Sequence, residues 1–154
     1  MMDHLPRPAR PEDWPALVPL LRAMGSQEDE GARRRFLRLA HSDDHYLPVA
    51  SVGGRLVGYG WVQDYGPHLR SGARTVRLND LFVLPDYRRA GLGTLLFGAM
   101  RGWAEQRGAR YLEWQASHAA LPFYERLGYQ GDPCPQPEYP FFEVVFPAHR
   151  EHTP

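Results

Sequence analysis

Gly91 and Gly93 stand two apart at the head of a long amphipathic stretch, just after Arg88 and Arg89. Every part of that pattern suits an anion. The first N–H groups of a helix have no intrahelical partner. The helix dipole adds partial positive charge at the same end. Glycine lets a ligand come close to the backbone. Together they make a site for a pyrophosphate, to which Arg88 and Arg89 can add charge-assisted bonds. The dinucleotide fingerprint does not fit, because position 96 is leucine where that motif needs a third glycine.

A strand, a tight turn and a helix must position such a site. Residues 75–84 alternate Val76, Leu78 and Phe82 with Arg77, Asn79 and Leu81, and Pro85 ends the run, which predicts a strand. Over 91–106, Leu92, Leu95, Leu96, Ala99, Met100 and Trp103 fall on one helical stripe, and Gly108 stops it. Before these, 5–9 reads as a short edge strand containing Pro6 and Pro8. Leu17, Val18, Leu21 and Met24 mark a helix with Pro19 inside it, and 28–40 marks a second. The runs 46–52 and 55–63 are strands joined at Gly53-Gly54, a hairpin signal. The run 64–73 reads as a loop. After the long helix come a strand over 110–116, a short helix over 119–127 closed by Gly128, and a final strand over 141–146. Strands mixed with helices on a largely antiparallel sheet predict an α/β (α+β) layered fold.

The chain has 154 residues, which predicts a single domain over 1–154. All 18 basic residues are arginine. A phosphate-binding P-loop, a Schiff-base enzyme and the protein-kinase signature each need a lysine, so all three classes are excluded. The formal net charge is zero. Binding to nucleic acid or an anionic membrane needs a basic excess, so neither partner is expected. No run of 18 apolar residues occurs and 1–11 holds no signal-like stretch, so a cytoplasmic protein is expected. Cys134 is the one cysteine, which excludes an internal disulfide.

Arg88-x-x-Gly91-x-Gly93, after a strand ending Leu81-Phe82-Val83, resembles motif A of the GNAT superfamily of N-acetyltransferases, (Gln/Arg)-x-x-Gly-x-(Gly/Ala). Ser117-x-x-Ala120-x-x-Phe123-Tyr124, followed by Gly128-Tyr129, resembles the family's motif B. The resemblance is sharp over 79–129 and runs in element order over 5–147. It implies a mostly antiparallel sheet of about six to seven strands flanked by about four helices, with the strand over 75–84 bulged and splayed from the strand over 110–116. It implies acetyl-CoA as donor; no metal is expected, since one cysteine excludes a multi-cysteine zinc site. Carried over, the backbone of Phe82 and Val83 would bond the pantetheine arm. The amides of Arg89, Ala90, Gly91, Leu92, Gly93 and Thr94, with Arg88, would cradle the pyrophosphate. Ser117 holds the place of the motif's asparagine, and Phe123 would lie at the cofactor.

The implied reaction is direct attack of a neutral amine on the thioester. It needs a base for the ammonium, donors for the oxyanion and an acid for the departing thiolate. Tyr124 matches the family's tyrosine for the last task, and a phenol keeps its proton at neutral pH. Related members carry an acidic pair where this chain reads Asn79-Asp80, so Asp80 is a candidate base, and Glu113 is a second. Trp61, Tyr65, His68, Trp114 and Tyr139 are candidate walls for the acceptor, since aromatics beside carboxylates suit a cationic amine. His41 and His45 have i, i+4 spacing, but they fall at a helix-to-strand turn and read as a solvated loop rather than a metal site. Cys134 lies among prolines without an activating base and reads as structural.

An alternative is a non-catalytic acyl-CoA-binding module of the same fold, and a third reading transfers another acyl group or acetylates oxygen. Phe141, Phe142, Val144, Val145 and Phe146 make an unusually apolar last strand, which predicts a homodimer with that strand near the interface.

Overall fold

The computed structural model describes residues 5–26, 30–132, 140 and 142–147. Two compact units divide the chain, Met1–Ala116 and Ser117–Pro154.

The first unit is built on a six-stranded sheet. Its strands are β1 (Arg7–Pro8), β2 (His45–Tyr46), β3 (Pro48–Val52), β4 (Arg55–Pro67), β5 (Arg74–Val83) and β6 (Tyr111–Glu113). The order is β1-β3-β4-β5-β6, with β2 also paired to β4. All pairs are antiparallel except β5 with β6. Helices α1 (Trp14–Ala23), α2 (Glu30–Ala40) and α3 (Leu92–Gln106) also belong to this unit, with short 3-10 turns at Pro11–Asp13 and Pro85–Tyr87. No helix among the described residues is long and apolar enough to cross a membrane.

Alternation along β4 divides the core between the two sheet faces. Leu56 and Tyr59 join Leu17 and Leu20 of α1 and Phe36 of α2 in one buried cluster. Val57, with Ala50 and Val83, joins Leu92 and Leu96 of α3 in another. A register shift beside Val57 lets Val57 and Gly58 share the α3 face. The close approach of α3 depends on two glycines. A Cβ on Gly58 would lie 2.8 Å from Leu96 Cδ1, and one on Gly60 would lie 2.8 Å from Met100 Sδ.

Several strand boundaries differ from the sequence expectation: the strand expected over 5–9 is only β1, and the one expected over 46–52 forms as β2 and β3. β4 runs on to Pro67 and β5 begins at Arg74, so the expected loop over 64–73 shrinks to its second half. The cause is Asp64, whose fully buried carboxylate accepts from Arg74 NH1 and Arg107 Nε, both at 2.6 Å. A polar residue can extend a strand when its charge is met inside. β6 stops at Glu113 rather than continuing to residue 116.

In the second unit, α4 (Leu121–Arg126) has Pro122 in its first turn. It ends at Gly128 in the left-handed region (φ 93°), where the Tyr129 N–H turns back to the Tyr124 carbonyl at 3.0 Å. Over 142–146 the expected strand is not formed. Residues 142–147 have no regular secondary structure, and Phe142, Val144, Val145 and Phe146 are all exposed. Among the described residues no strand pairs with them. Phe141 lies outside the described residues.

Candidate active site

β5 is irregular where the chemistry was expected. Gly60 pairs with Leu81, Trp61 with Asp80 and Val62 with Leu78, which leaves Asn79 as an extra residue in β5. Such a bulge turns two consecutive residues to one face. Asn79 Nδ2 accordingly donates to Gln63 Oε1 at 3.3 Å, while Asp80 stands opposite Trp61 on that same α1–α2 face. The Tyr59 hydroxyl donates to Asp80 Oδ2 at 3.2 Å. Burial holds the Asp80 carboxyl above its usual range, and the bond from Tyr59 opposes that shift. Tyr59 is itself buried, and burial and the Asp80 charge push its phenol well up. Next to this pair, Trp61 Nε1 donates to His45 Nδ1 at 3.0 Å.

β5 also parts from β6. Their parallel register ends at Arg77 with Glu113, so Leu78 to Val83 continue with no strand on that side among the described residues. The implied bulge and splay are both present. At the end of this open edge the Val83 carbonyl accepts from Arg88 Nε at 2.8 Å, and the Arg88 guanidinium sits 5.4 Å from the Phe82 ring centroid. Arg88 is therefore anchored to the strand, rather than projecting alone from the loop.

The turn from β5 to α3 presents its backbone outward. Arg88, Arg89, Ala90 and Gly91 are exposed, while Leu92 is buried and anchors the helix start. Arg89 has φ 66° and Gly91 φ 83°, so both adopt the left-handed region. In an arginine that conformation is uncommon and costs about 1 to 3 kcal/mol. Gly91 caps α3 without a side-chain bond, and the first intrahelical bond runs from Leu95 N–H to Gly91 O at 3.0 Å. The N–H groups of Leu92, Gly93 and Thr94 precede it and have no intrahelical acceptor.

Within the second unit, Tyr124 is buried and its phenol is pushed up by that burial. The Phe123 ring meets it edge-on, with centroids 5.0 Å apart. Ser117 is exposed and opens the turn into α4, its carbonyl accepting from Ala120 and Leu121.

The other candidates disperse. Glu113 is exposed and registers with Arg77, three residues before Asp80 on β5, or about 10 Å along the strand. The two carboxylates are not brought together. Trp114 packs edge-on against Phe97 of α3, centroids 5.4 Å apart, away from the face that holds Trp61. Tyr65 is exposed, and His68 Nδ1 accepts from the Arg70 and Ser71 amides in the hairpin turn. Tyr139 and Cys134 lie outside the described residues. Among the described residues no three His, Cys, Asp or Glu side chains gather as for a metal ion.

Sequence reasoning did not single out Tyr59, or His45 as a partner of Trp61. Alternation of Tyr59, Trp61 and Gln63 along one strand signals a shared face, but the partner across the bulge needs the register.

The sequence model of the acetyltransferase (GNAT) family matches residues 7–129. Uncharacterized N-acetyltransferase YhfO of Bacillus subtilis is 30% identical over 136 residues, or 82% of this chain and 89% of that protein. An uncharacterized N-acetyltransferase of Methanocaldococcus jannaschii is 30% identical over 107 residues, 64% of this chain. The glucosamine 6-phosphate N-acetyltransferase of Trypanosoma brucei brucei is 32% identical over 77 residues, 50% of this chain. The alignments span 45% and 52% of those two proteins. The solved structure of AAC(6')-Iy with the bisubstrate analog CoA-S-monomethyl-acetylneamine has the same fold. Its TM-score is 0.71 at 17% identity, over 94% of this chain and 97% of that one. With the family pattern matched across most of its length, and the bulged, splayed strand leading into the exposed turn, the chain belongs to the acetyltransferase (GNAT) family.

Proposed function

We propose that the protein is an N-acetyltransferase that moves an acetyl group from acetyl-CoA to a primary amine of a small molecule or peptide. The observation that carries this reading is the open edge of β5 running into the exposed, left-handed turn at the start of α3. An unpaired strand edge offers amide and carbonyl groups to an extended, amide-bearing arm. The turn and helix start offer backbone N–H groups and positive potential to a diphosphate. Two similar proteins support the donor and acceptor classes: one is named for glucosamine 6-phosphate, and the other was solved with a CoA bisubstrate analog.

The chain's residues divide the work. Backbone at Phe82 and Val83 aligns the pantetheine arm and polarises the thioester carbonyl. Amides of Arg89 to Thr94, with Arg88, hold the pyrophosphate, and Ser117 and Phe123 line the donor. Asp80 takes the proton from the substrate's ammonium, helped by the burial that raises its basicity. The neutral amine attacks the carbonyl, and Tyr124 protonates the departing thiolate. Burial keeps its phenol protonated until then. Glu113, exposed and registered with Arg77, is not assigned a role.

The exposed Phe142, Val144, Val145 and Phe146 suit a second copy of the chain, and we include a homodimer in this reading. The experiment is a thiol-release assay with acetyl-CoA and a panel of spermidine, glucosamine, glycinamide and tyramine. Amine-dependent release is expected. CoA binding without any such release would favour the non-catalytic module. Calorimetry showing no binding of CoA or acetyl-CoA would remove the reading altogether.

A further inference from the structure

We propose that His45 is a positioning residue for the acceptor: its Nδ1 holds the Trp61 indole in place beside Asp80. The inference rests on the reading of the Asp80 face as the acceptor's end of the site.

The chemistry of the bond is one-sided. Trp61 Nε1 lies 3.0 Å from His45 Nδ1. An indole nitrogen only donates, so Nδ1 supplies the lone pair and the imidazole proton sits on Nε2. Burial favours this neutral ring, against the pull of Asp44. The rings lie 6.0 Å apart and tilted by 34°, so the contact is an edge bond and not a stack.

Packing alone leaves the indole's orientation open. Trp61 is half-buried and rests on the apolar cluster that includes Leu17, Leu20 and Phe36. Apolar contact fixes the area an indole covers but does not say which edge carries the nitrogen; the bond from His45 does. That bond comes from β2, a two-residue strand whose register sets His45 against Gln63, two positions along β4 from Trp61. Trp61 in turn stands directly opposite Asp80. An indole held beside a carboxylate offers an ammonium both a charge and an aromatic surface. Without that bond, the carboxylate alone is fixed in place for the ammonium. His45 therefore acts on acceptor affinity, through Trp61, and not on the donor.

The test compares His45→Asn with His45→Leu in the full chain. The asparagine Oδ1 replaces Nδ1 on the same Cγ and keeps an acceptor; leucine removes it. Nitrogen-15 spectra of the indole groups, with the Trp61 signal assigned by its loss in Trp61→Phe, report the bond directly. A downfield, slowly exchanging signal is expected in the wild type and His45→Asn, and its loss in His45→Leu. Kinetics use acetyl-CoA and whichever of spermidine, glucosamine, glycinamide and tyramine is turned over fastest. In His45→Leu the KM for that amine should rise about 2- to 30-fold, the factor that a cation–π contact of about 0.5 to 2 kcal/mol supplies. The KM for acetyl-CoA and kcat should hold, and His45→Asn should restore the amine KM. If His45→Leu does not fold, Trp61→Phe, which removes the donor, must show the same rise in amine KM. An unchanged amine KM, with or without a lower Tm, overturns the positioning role. Asp80→Asn measured alongside separates the two failures. If that variant turns over like wild type, or none of the amines is acetylated, the acceptor reading falls and takes this proposal with it.

Discussion

The Tyr59 hydroxyl and the Asp80 carboxylate meet across β4 and β5 at 3.2 Å, and this bond is the one that steadies a half-buried charge. Burial drives Asp80 toward its neutral form, and Tyr59 draws it back. In Tyr59→Phe the opposing bond is gone, so the Asp80 pKa rises further. In the proposed role of base, Asp80 must be ionised. The acid limb of the kcat/KM profile should therefore move to higher pH, with the plateau rate little changed. A limb that stays in place would separate Tyr59 from the reaction.

Asp80→Asn should lower kcat/KM by about 100-fold or more, the usual scale for a lost general base. The same change should raise stability at neutral pH. A carboxyl whose folded pKa lies above its unfolded value loses stability as pH climbs through that window. Asparagine has no charge to bury. Thermal melts at pH 7 should show a higher Tm than wild type, with the advantage fading in acid.

Tyr124→Phe deletes the proposed proton donor and keeps the ring that meets Phe123 edge-on. We expect kcat to fall about 10- to 1000-fold while the KM for acetyl-CoA stays near its original value. Undiminished turnover would take Tyr124 out of the mechanism.

Asp64 predicts a stability effect without a catalytic one. Its carboxylate also accepts from the Gly66 amide at 2.7 Å, and Arg107 reaches on to Asp44 at 3.2 Å. Burial pushes Asp64 up, but the bonds from Arg107, Gly66 and Arg74 outweigh it and leave the carboxyl below its ordinary value of 3.8. Its contribution is thus present above that value and is lost as pH falls through the folded pKa. Asp64→Leu strands two part-buried guanidinium groups and should cost about 3 to 5 kcal/mol. In a chain of this size that is a drop in Tm of roughly 6 to 20 °C. Calorimetry at pH 7 and pH 3 should show the gap between variant and wild type narrowing in acid.

Gly60→Ala tests the seat of α3. The new methyl would meet Met100 Sδ at 2.8 Å and the Pro48 ring at 3.2 Å. The methionine tip can swing away, but the proline cannot, so a loss of about 1 to 3 kcal/mol is expected. Adding Met100→Val should return part of it, as measured by denaturant midpoints. If the double variant is no more stable than the single one, Pro48 and not Met100 governs the clash.

Much of the frame was legible because its signals are local. The stripe from Leu92 to Trp103 and the stop at Gly108 mark α3 within a turn of its observed ends. Gly53-Gly54 marks the β3–β4 hairpin, with both glycines in the left-handed region. Asp64 was misread because a buried carboxylate looks like a loop residue until Arg74 and Arg107, 10 and 43 positions away, are brought to it. The apolar run over 141–146 looked like a strand because apolar composition reports what a segment could bury. It does not report whether a partner strand is there.

From its sequence alone the chain announced a strand, a turn and a helix start suited to a diphosphate, since those groups are backbone amides within sixteen consecutive positions, 79–94. Only the tertiary structure decided which side chains share the face with Asp80. Side-chain period in a strand is two, and a single extra residue such as Asn79 reverses every assignment beyond it. Tyr59 against Asp80, and His45 against Trp61, are products of that register. Composition and spacing cannot count residues across a bulge, because strand pairing sets it through contacts 16 to 21 positions apart.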